Sequence, residues 1–272
     1  MEKNIVYFKS STKMEEVDDN SVHLIVTSPP YFNIKDYSQN GEHKDLDVGS
    51  CKNYDEYLEL LFKVFSECAR VLVPNGKLCI NVPLVPLKKA GGTKKYTREI
   101  LNLPADIHGI VKRIPSLRFF DMYIWERSNW TKKLMFGSYP YPPNFYAQNY
   151  CEFIYVYVKE GAPIKRTRAQ KELSKVTQEE WLEYTSQIWK IPVPSRSDIA
   201  YGIHPAIMPE EIAKRLIKLY SFVDDVVLDP FAGSGTTLAV AKKLGRQFIG
   251  YELYEMYKSV IEKRLSINFS LS

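Results

Sequence analysis

The sequence predicts an α/β protein built on a doubly wound, largely parallel sheet. Three observations point there. Seven short runs of apolar, β-branched and aromatic residues read as strands, and most are almost continuously apolar, as a sheet covered on both faces requires. Helical periods lie between the strands. The chain has 272 residues, 45% hydrophobic and 25% charged, which suits one large buried core and excludes a disordered or collagen-like chain.

Taken in order, residues 5–8 and 23–27 read as the first two strands. The polar stretch 33–53, with Gly41 and Gly49, reads as a loop. Residues 54–72 then place Tyr54, Tyr57, Leu58, Leu61, Val64, Phe65 and Cys68 on one helical stripe. Strands follow at 77–82, 122–125 and 152–158. From 159 to 198 the alternation stops. This segment is basic and polar, then carries Trp181, Tyr184 and Trp189, and it reads as an inserted recognition element. The helix at 209–220 opens with Pro-Glu-Glu, a favourable first turn. A strand at 226–229 leads to a helix at 236–244 that Gly245 stops. A strand at 247–251 and a helix at 254–265 complete the pattern.

Several classes are excluded at this level. No apolar run approaches the roughly 18 residues of a membrane span, and residues 1–10 lack a signal-peptide pattern. Cys51, Cys68, Cys79 and Cys151 form no CxxC pair, so no metal site is expected and a reducing cytoplasm is the expected compartment.

The net charge of +5 is unevenly spread. Residues 1–84 carry 9 Lys/Arg and 13 Asp/Glu, residues 85–175 carry 17 and 7, and residues 176–272 carry 11 and 12. One basic cluster is Lys88, Lys89, Lys94, Lys95 and Arg98. Another is Lys165, Arg166, Arg168, Lys171 and Lys175. They read either as a phosphate-facing surface or as solvated loops.

Two motifs carry chemistry. The first runs Asp229-Pro230-Phe231-Ala232-Gly233-Ser234-Gly235-Thr236-Thr237, between a strand and a helix. Glycines there let the backbone approach a ligand, and a helix start offers free N–H groups. Glu252, 19 positions after Gly233, closes the next strand, a spacing that suits a carboxylate on ribose hydroxyls. Leu238 stands where a dinucleotide fingerprint has its third glycine, and no Lys follows Gly235 as in a P-loop. The motif is a nucleoside site without pyrophosphate, or else a structural turn. The second motif is Thr27-Ser28-Pro29-Pro30-Tyr31 at a strand end. Its prolines remove N–H donors, its carbonyls and the Ser28 hydroxyl accept, and Tyr31 adds a flat face. That combination can hold a planar amine-bearing ring, or it is a rigid turn around a buried tyrosine.

Together these residues resemble the amino-group DNA methyltransferases of bacterial restriction–modification systems. Ser-Pro-Pro-Tyr precedes Asp-Pro-Phe-x-Gly-x-Gly-Thr-Thr, which is the motif order of the β class. His204-Pro205-Ala206 with Pro209-Glu210-Glu211, the run from Leu72 through Pro74-Asn75-Gly76 to Leu78, the segment 149–159 around Glu152-Phe153, and Gln187-Ile188-Trp189 extend the likeness. It spans residues 5–160 and 187–265.

The resemblance implies a Rossmann-like, seven-stranded methyltransferase sheet that binds S-adenosylmethionine. The core would be 1–158 and 199–272, the target-recognition insert 159–198, and the DNA-facing loops 33–53 and 85–100. Asp229, Phe231, Gly233, Gly235, Thr236 and Thr237 would surround the cofactor, Glu252 would hold its ribose, and His204 and Pro205 would lie by its methionine part. Ser28, Pro29, Pro30 and Tyr31 would form the catalytic pocket. One departure stands out: many members have Gly-Asp where Phe8-Lys9 aligns, and that acid meets the adenine. Lys9 cannot do so, which leaves Ser10 as the candidate.

The implied partners are double-stranded DNA and a cognate restriction endonuclease, with the chain a monomer or a homodimer. Cytosine-N4 members mostly carry Ser at the first catalytic position and adenine-N6 members Asp or Asn, so Ser28 points to cytosine N4, with adenine N6 the alternative. A nucleic-acid-binding protein without catalysis would explain the basic middle but not both strand-end motifs.

Overall fold

In the computed structural model, residues 1–32, 48–51, 53–86, 100–129 and 139–267 are described. The elements run β1 (Ile5–Tyr7), β2 (Val22–Thr27), α1 (Tyr54–Val71), β3 (Leu72–Pro83), β4 (Val85–Pro86), β5 (Ile100–Leu101), α2 (Leu103–Val111), β6 (Leu117–Arg127), β7 (Cys151–Lys159), α3 (Arg168–Leu173), α4 (Gln178–Tyr184), β8 (Ile188–Ile191), α5 (Glu210–Tyr220), β9 (Val226–Asp229), α6 (Thr236–Lys243), β10 (Gln247–Tyr251) and α7 (Lys258–Ser266).

The main sheet has the order β1-β10-β9-β2-β3-β7-β6-β8. Only β7 runs against its neighbours β3 and β6; the other pairings are parallel. The sheet thus has eight strands where seven were expected. The extra one, β8, lies within the segment read as an insert, and pairs Ile124 with Ile188 through to Arg127 with Ile191. Its pattern was legible: Trp189 and Ile191 are buried while Ile188 and Lys190 face outward. Four residues between Gln187 and Pro192 are too short a run to separate from loop by period alone.

Alternation along the strands divides the core in two. Ile25, Leu78, Ile80, Val226, Leu228 and Ile249 face α1 and α2. Leu24, Val26, Cys79, Val156, Val227 and Phe248 face α5 and α6. This explains the continuously apolar strands: successive residues enter different cores. The Asn53 side chain caps α1 by accepting from Glu56 N at 2.8 Å. The helix α2 was not anticipated, although Pro104 sits in its first turn.

The sheet positions the site at one place. The path β9–α6–β10 moves outward on one side, and β2–α1–β3 on the other, so β2 and β9 are neighbours at a topological switch point. A crevice opens beyond the strand ends at such a point.

Candidate active site

The two motifs meet in that crevice. Thr27, at the end of β2, donates its hydroxyl to Asp229 Oδ1 at 2.7 Å, across 202 residues of sequence. The same Oδ1 accepts from Phe231 N at 3.0 Å, which shapes the turn after β9. Burial pushes the Asp229 carboxyl from 3.8 up to about 6, against hydrogen bonds from Thr27, Phe231 and Thr237 that pull it down.

Because this native pKa lies above the unfolded one, ionising Asp229 opposes folding. The stability present below about pH 4 is lost as pH rises through about 6. Asp229→Asn supplies an oxygen for Thr27 and Phe231 without the charge. It is expected to stabilise the cofactor-free protein by about 3 kcal/mol at pH 8 and by little at pH 4. Thermal unfolding at both pH values checks this; a lower melting temperature at pH 8 refutes it.

The turn then climbs to α6. Gly233 has φ +54°, and a Cβ there would stand 2.8 Å from His204 Nε2, so only glycine fits beside that ring. Glu252 is buried and doubly held. Its Oε2 accepts from Gly233 N at 2.8 Å and its Oε1 from Tyr254 N at 2.9 Å. The His204 ring packs edge-on against Tyr257, with centroids 4.8 Å apart. Ala206 N donates to His204 Nδ1 at 3.3 Å, so a neutral ring carries its hydrogen on Nε2, beside Gly233.

These groups line a cleft of about 850 Å³. Of the residues expected around a cofactor, Asp229, Phe231, Gly233, Thr236, Thr237, Glu252, His204 and Ser10 reach it, together with Ser28, Pro29 and Pro30. Two do not. Gly235, at φ +78°, is the left-handed residue before α6 and turns its Cα toward Ile261 of α7. Pro205 lines a second cavity instead.

That second cavity, about 1080 Å³, shares Ser28, His204, Ala206 and Met208 with the first. Tyr31 is in its wall, 9% exposed. Ser28 Oγ donates to the Asn81 carbonyl at 3.2 Å and lies 2.8 Å from Tyr31 Oη. The Pro30 carbonyl, expected to be open, is taken by the Tyr57 hydroxyl at 3.0 Å. Asn81, Trp125, Arg127 and Glu152 complete this wall, and none was singled out as a site residue from sequence. The signal was there: Asn81 and Glu152 are polar residues inside apolar strands, and both are buried.

The basic clusters fare differently. Lys88, Lys89, Lys94, Lys95 and Arg98 lie outside the described residues, as do the loop residues 33–47. The structure does not bring the second cluster to the site. Because β7 is antiparallel, the chain after Lys159 emerges at the opposite end of the strands from the site. There Arg166 pairs with buried Asp225, Nη1 to Oδ1 at 2.6 Å, just before β9 begins. Arg168 and Lys171 belong to α3, which follows directly, and Lys165 precedes it. Breaking a buried pair costs about 3–5 kcal/mol, so Arg166→Ala is expected to lower stability without weakening DNA binding; denaturant unfolding and a mobility-shift titration check both. Tyr184 and Trp189, read as lining an insert, are buried in the fold, while Trp181 is exposed.

A family model for DNA methylases, of the N6/N4 type, matches residues 22–263. The chain belongs to this family. A type II methyltransferase of Methanocaldococcus jannaschii, M.MjaI, is 30% identical over 96% of this chain and 91% of its own length. The DNA adenine methyltransferase YhdJ of Escherichia coli is 29% identical over 97% of this chain and 83% of that protein. Among solved structures, TTHA0409 of Thermus thermophilus, complexed with S-adenosylmethionine, superposes with a TM-score of 0.75 at 29% identity. The match covers 96% of this chain and 92% of that one. The cytosine-N4-specific PvuII DNA methyltransferase shares the fold, with a TM-score of 0.65 at 19% identity over 99% of this chain and 89% of that one.

As a DNA methylase this chain acts on DNA and takes its methyl group from S-adenosylmethionine. The site fits that donor: a glycine turn with no room for a Cβ, and a buried carboxylate one strand away. Among the described residues no helix is long and apolar enough to cross a membrane.

Proposed function

We propose that this chain methylates the exocyclic N4 of a cytosine turned out of duplex DNA, as the modification half of a restriction–modification system. The observation that carries the reading is the place of Ser28, on the boundary between the cofactor cleft and the second cavity. A base inside a duplex cannot reach such a boundary, and flipping it out costs a few kcal/mol. Stacking on Tyr31, about 1–3 kcal/mol per base, offsets that cost.

Bound S-adenosylmethionine supplies an electrophilic methyl group on a sulfonium. The protein's part is to make the amine a nucleophile. The Asn81 carbonyl, which can only accept, lies 3.2 Å from Ser28 Oγ. With its hydrogen turned to that carbonyl, Ser28 Oγ meets Tyr31 and the base with lone pairs, as an acceptor. Ser28 Oγ and the Pro29 carbonyl take the amine hydrogens and favour a tetrahedral nitrogen whose lone pair faces the methyl group. Transfer is direct, without a covalent enzyme intermediate. In this reading Glu252 holds the ribose, and Ser10 with the Gly233 turn, Thr236 and Thr237 encloses the nucleoside. Phosphates fall to Lys88, Lys89, Lys94, Lys95 and Arg98. Supporting this, β4 follows directly from the site end of β3 and pairs with β5.

Adenine N6 is the second reading, favoured by the similarity to YhdJ. Incubating the protein with S-adenosylmethionine and unmethylated bacterial DNA, then sequencing for modified bases, decides between them. N4-methylcytosine is expected at one short site; N6-methyladenine overturns the choice of base, and no methylated base overturns the activity.

A further inference from the structure

We infer that the Asn81 carboxamide, held in one orientation by Glu152, reads the target base, admitting amino bases and refusing their keto counterparts. The inference rests on the methyl-transfer reading above and concerns the cavity that adjoins the cofactor cleft at Ser28.

Asn81 lies on β3 and is 3% exposed. It stands opposite Ile154, and Glu152 stands opposite Pro83, so the two polar side chains are diagonal neighbours across the β3–β7 pair. Asn81 Nδ2 donates to Glu152 Oε2 at 2.7 Å. An ionised carboxylate only accepts, so the amide nitrogen must face Glu152. Arg127 Nη1 stands 4.0 Å from Glu152 Oε1. The other end of the amide, Oδ1, is buried with no hydrogen-bond partner among the described residues. A buried acceptor without a donor is rare and calls for one. Asn81 lines the cavity beside Ser28, and its own backbone carbonyl holds the Ser28 hydroxyl.

The chemistry of this edge is selective. An amide nitrogen carries two hydrogens, and Glu152 takes one. What remains is an acceptor beside a donor. An amino base presents the complement, a donor amine beside an acceptor ring nitrogen: N4 and N3 in cytosine, N6 and N1 in adenine. Where a keto oxygen replaces the amine, as in uracil or hypoxanthine, acceptor meets acceptor and donor meets donor. An unrestrained asparagine could turn over and suit either; Glu152 prevents that turn. One amine hydrogen then lies on Asn81 Oδ1 and the other on Ser28 Oγ. The Pro29 carbonyl engages as the nitrogen becomes tetrahedral and a hydrogen leaves the ring plane.

The test compares wild type, Asn81→Ala and Glu152→Gln on duplexes carrying the modified site. The target base is either intact or replaced by its deaminated counterpart, uracil for cytosine or hypoxanthine for adenine. Wild type is expected to bind the intact duplex about 10- to 100-fold more tightly. Asn81→Ala should lose that preference and slow single-turnover transfer by a similar factor, with unchanged affinity for S-adenosylmethionine reporting an intact fold. Glu152→Gln, whose amide lets Asn81 turn over, should bind the deaminated duplex better than wild type does. An Asn81→Ala protein with the wild-type preference overturns the assignment of Asn81. A Glu152→Gln protein as selective as wild type overturns the part given to Glu152. If wild type methylates no duplex at all, the methyl-transfer reading fails instead.

Discussion

Replacing Ser28 with alanine is expected to slow single-turnover methyl transfer by about 100- to 1,000-fold, the cost of deleting one preorganised group aimed at a centre that gains charge in the transition state. The affinity for S-adenosylmethionine should barely change. Ser28 touches the cofactor cleft only at its edge, and its hydrogen bonds run to Tyr31 and Asn81 rather than to the glycine turn. The variant removes an acceptor whose lone pairs are aligned by two fixed neighbours, so water entering the gap would not restore the geometry. Rapid-quench transfer and titration calorimetry separate the two quantities. Equal transfer rates for variant and wild type would remove Ser28 from the mechanism.

Replacing Glu252 acts on the other side of the same cleft. Alanine is expected to weaken cofactor binding by about 100-fold, near 3 kcal/mol, the range of charge-assisted hydrogen bonds to two hydroxyls. Part of that loss is indirect. Glu252 also ties Gly233 N to Tyr254 N, so its removal takes an acceptor from two backbone donors and loosens the turn. Glutamine keeps an acceptor at this position and should lose only about tenfold. Calorimetry with S-adenosylmethionine checks both variants, and an unchanged affinity for the alanine variant removes Glu252 from the cofactor site.

The two sites differ in how they could be read. Asp229, Gly233 and Glu252 form a local unit, because strand, turn, helix and strand bring them together within 24 residues. Their spacing carries the geometry, and each reaches the cleft. Gly235 shows what such a local motif leaves open. Both glycines of the turn have positive φ, but one faces the cleft and the other faces α7, and a motif does not say which. The cavity beside Ser28 is a different matter. Its wall comes from β3, β6 and β7 and from residues 193–208, and no spacing along the chain announces that. Arg166 makes the point in reverse. Its basic neighbours suggested phosphate, yet the antiparallel course of β7 carries it to the far end of the strands, where it pairs with Asp225.

The sequence alone determined which segments alternate as strands and helices, which two strand ends are chemically unusual, and the family they resemble. Those properties depend on side-chain period and on backbone chemistry within a few residues. Only the tertiary structure decided that β8 joins the sheet, that Thr27 binds Asp229, and that Asn81 turns toward Glu152 with one oxygen left over. The physical reason is that strand order and direction, not local pattern, set which residues from distant parts of the chain share a strand end. Burial there fixes polar groups that in an open chain would simply face water.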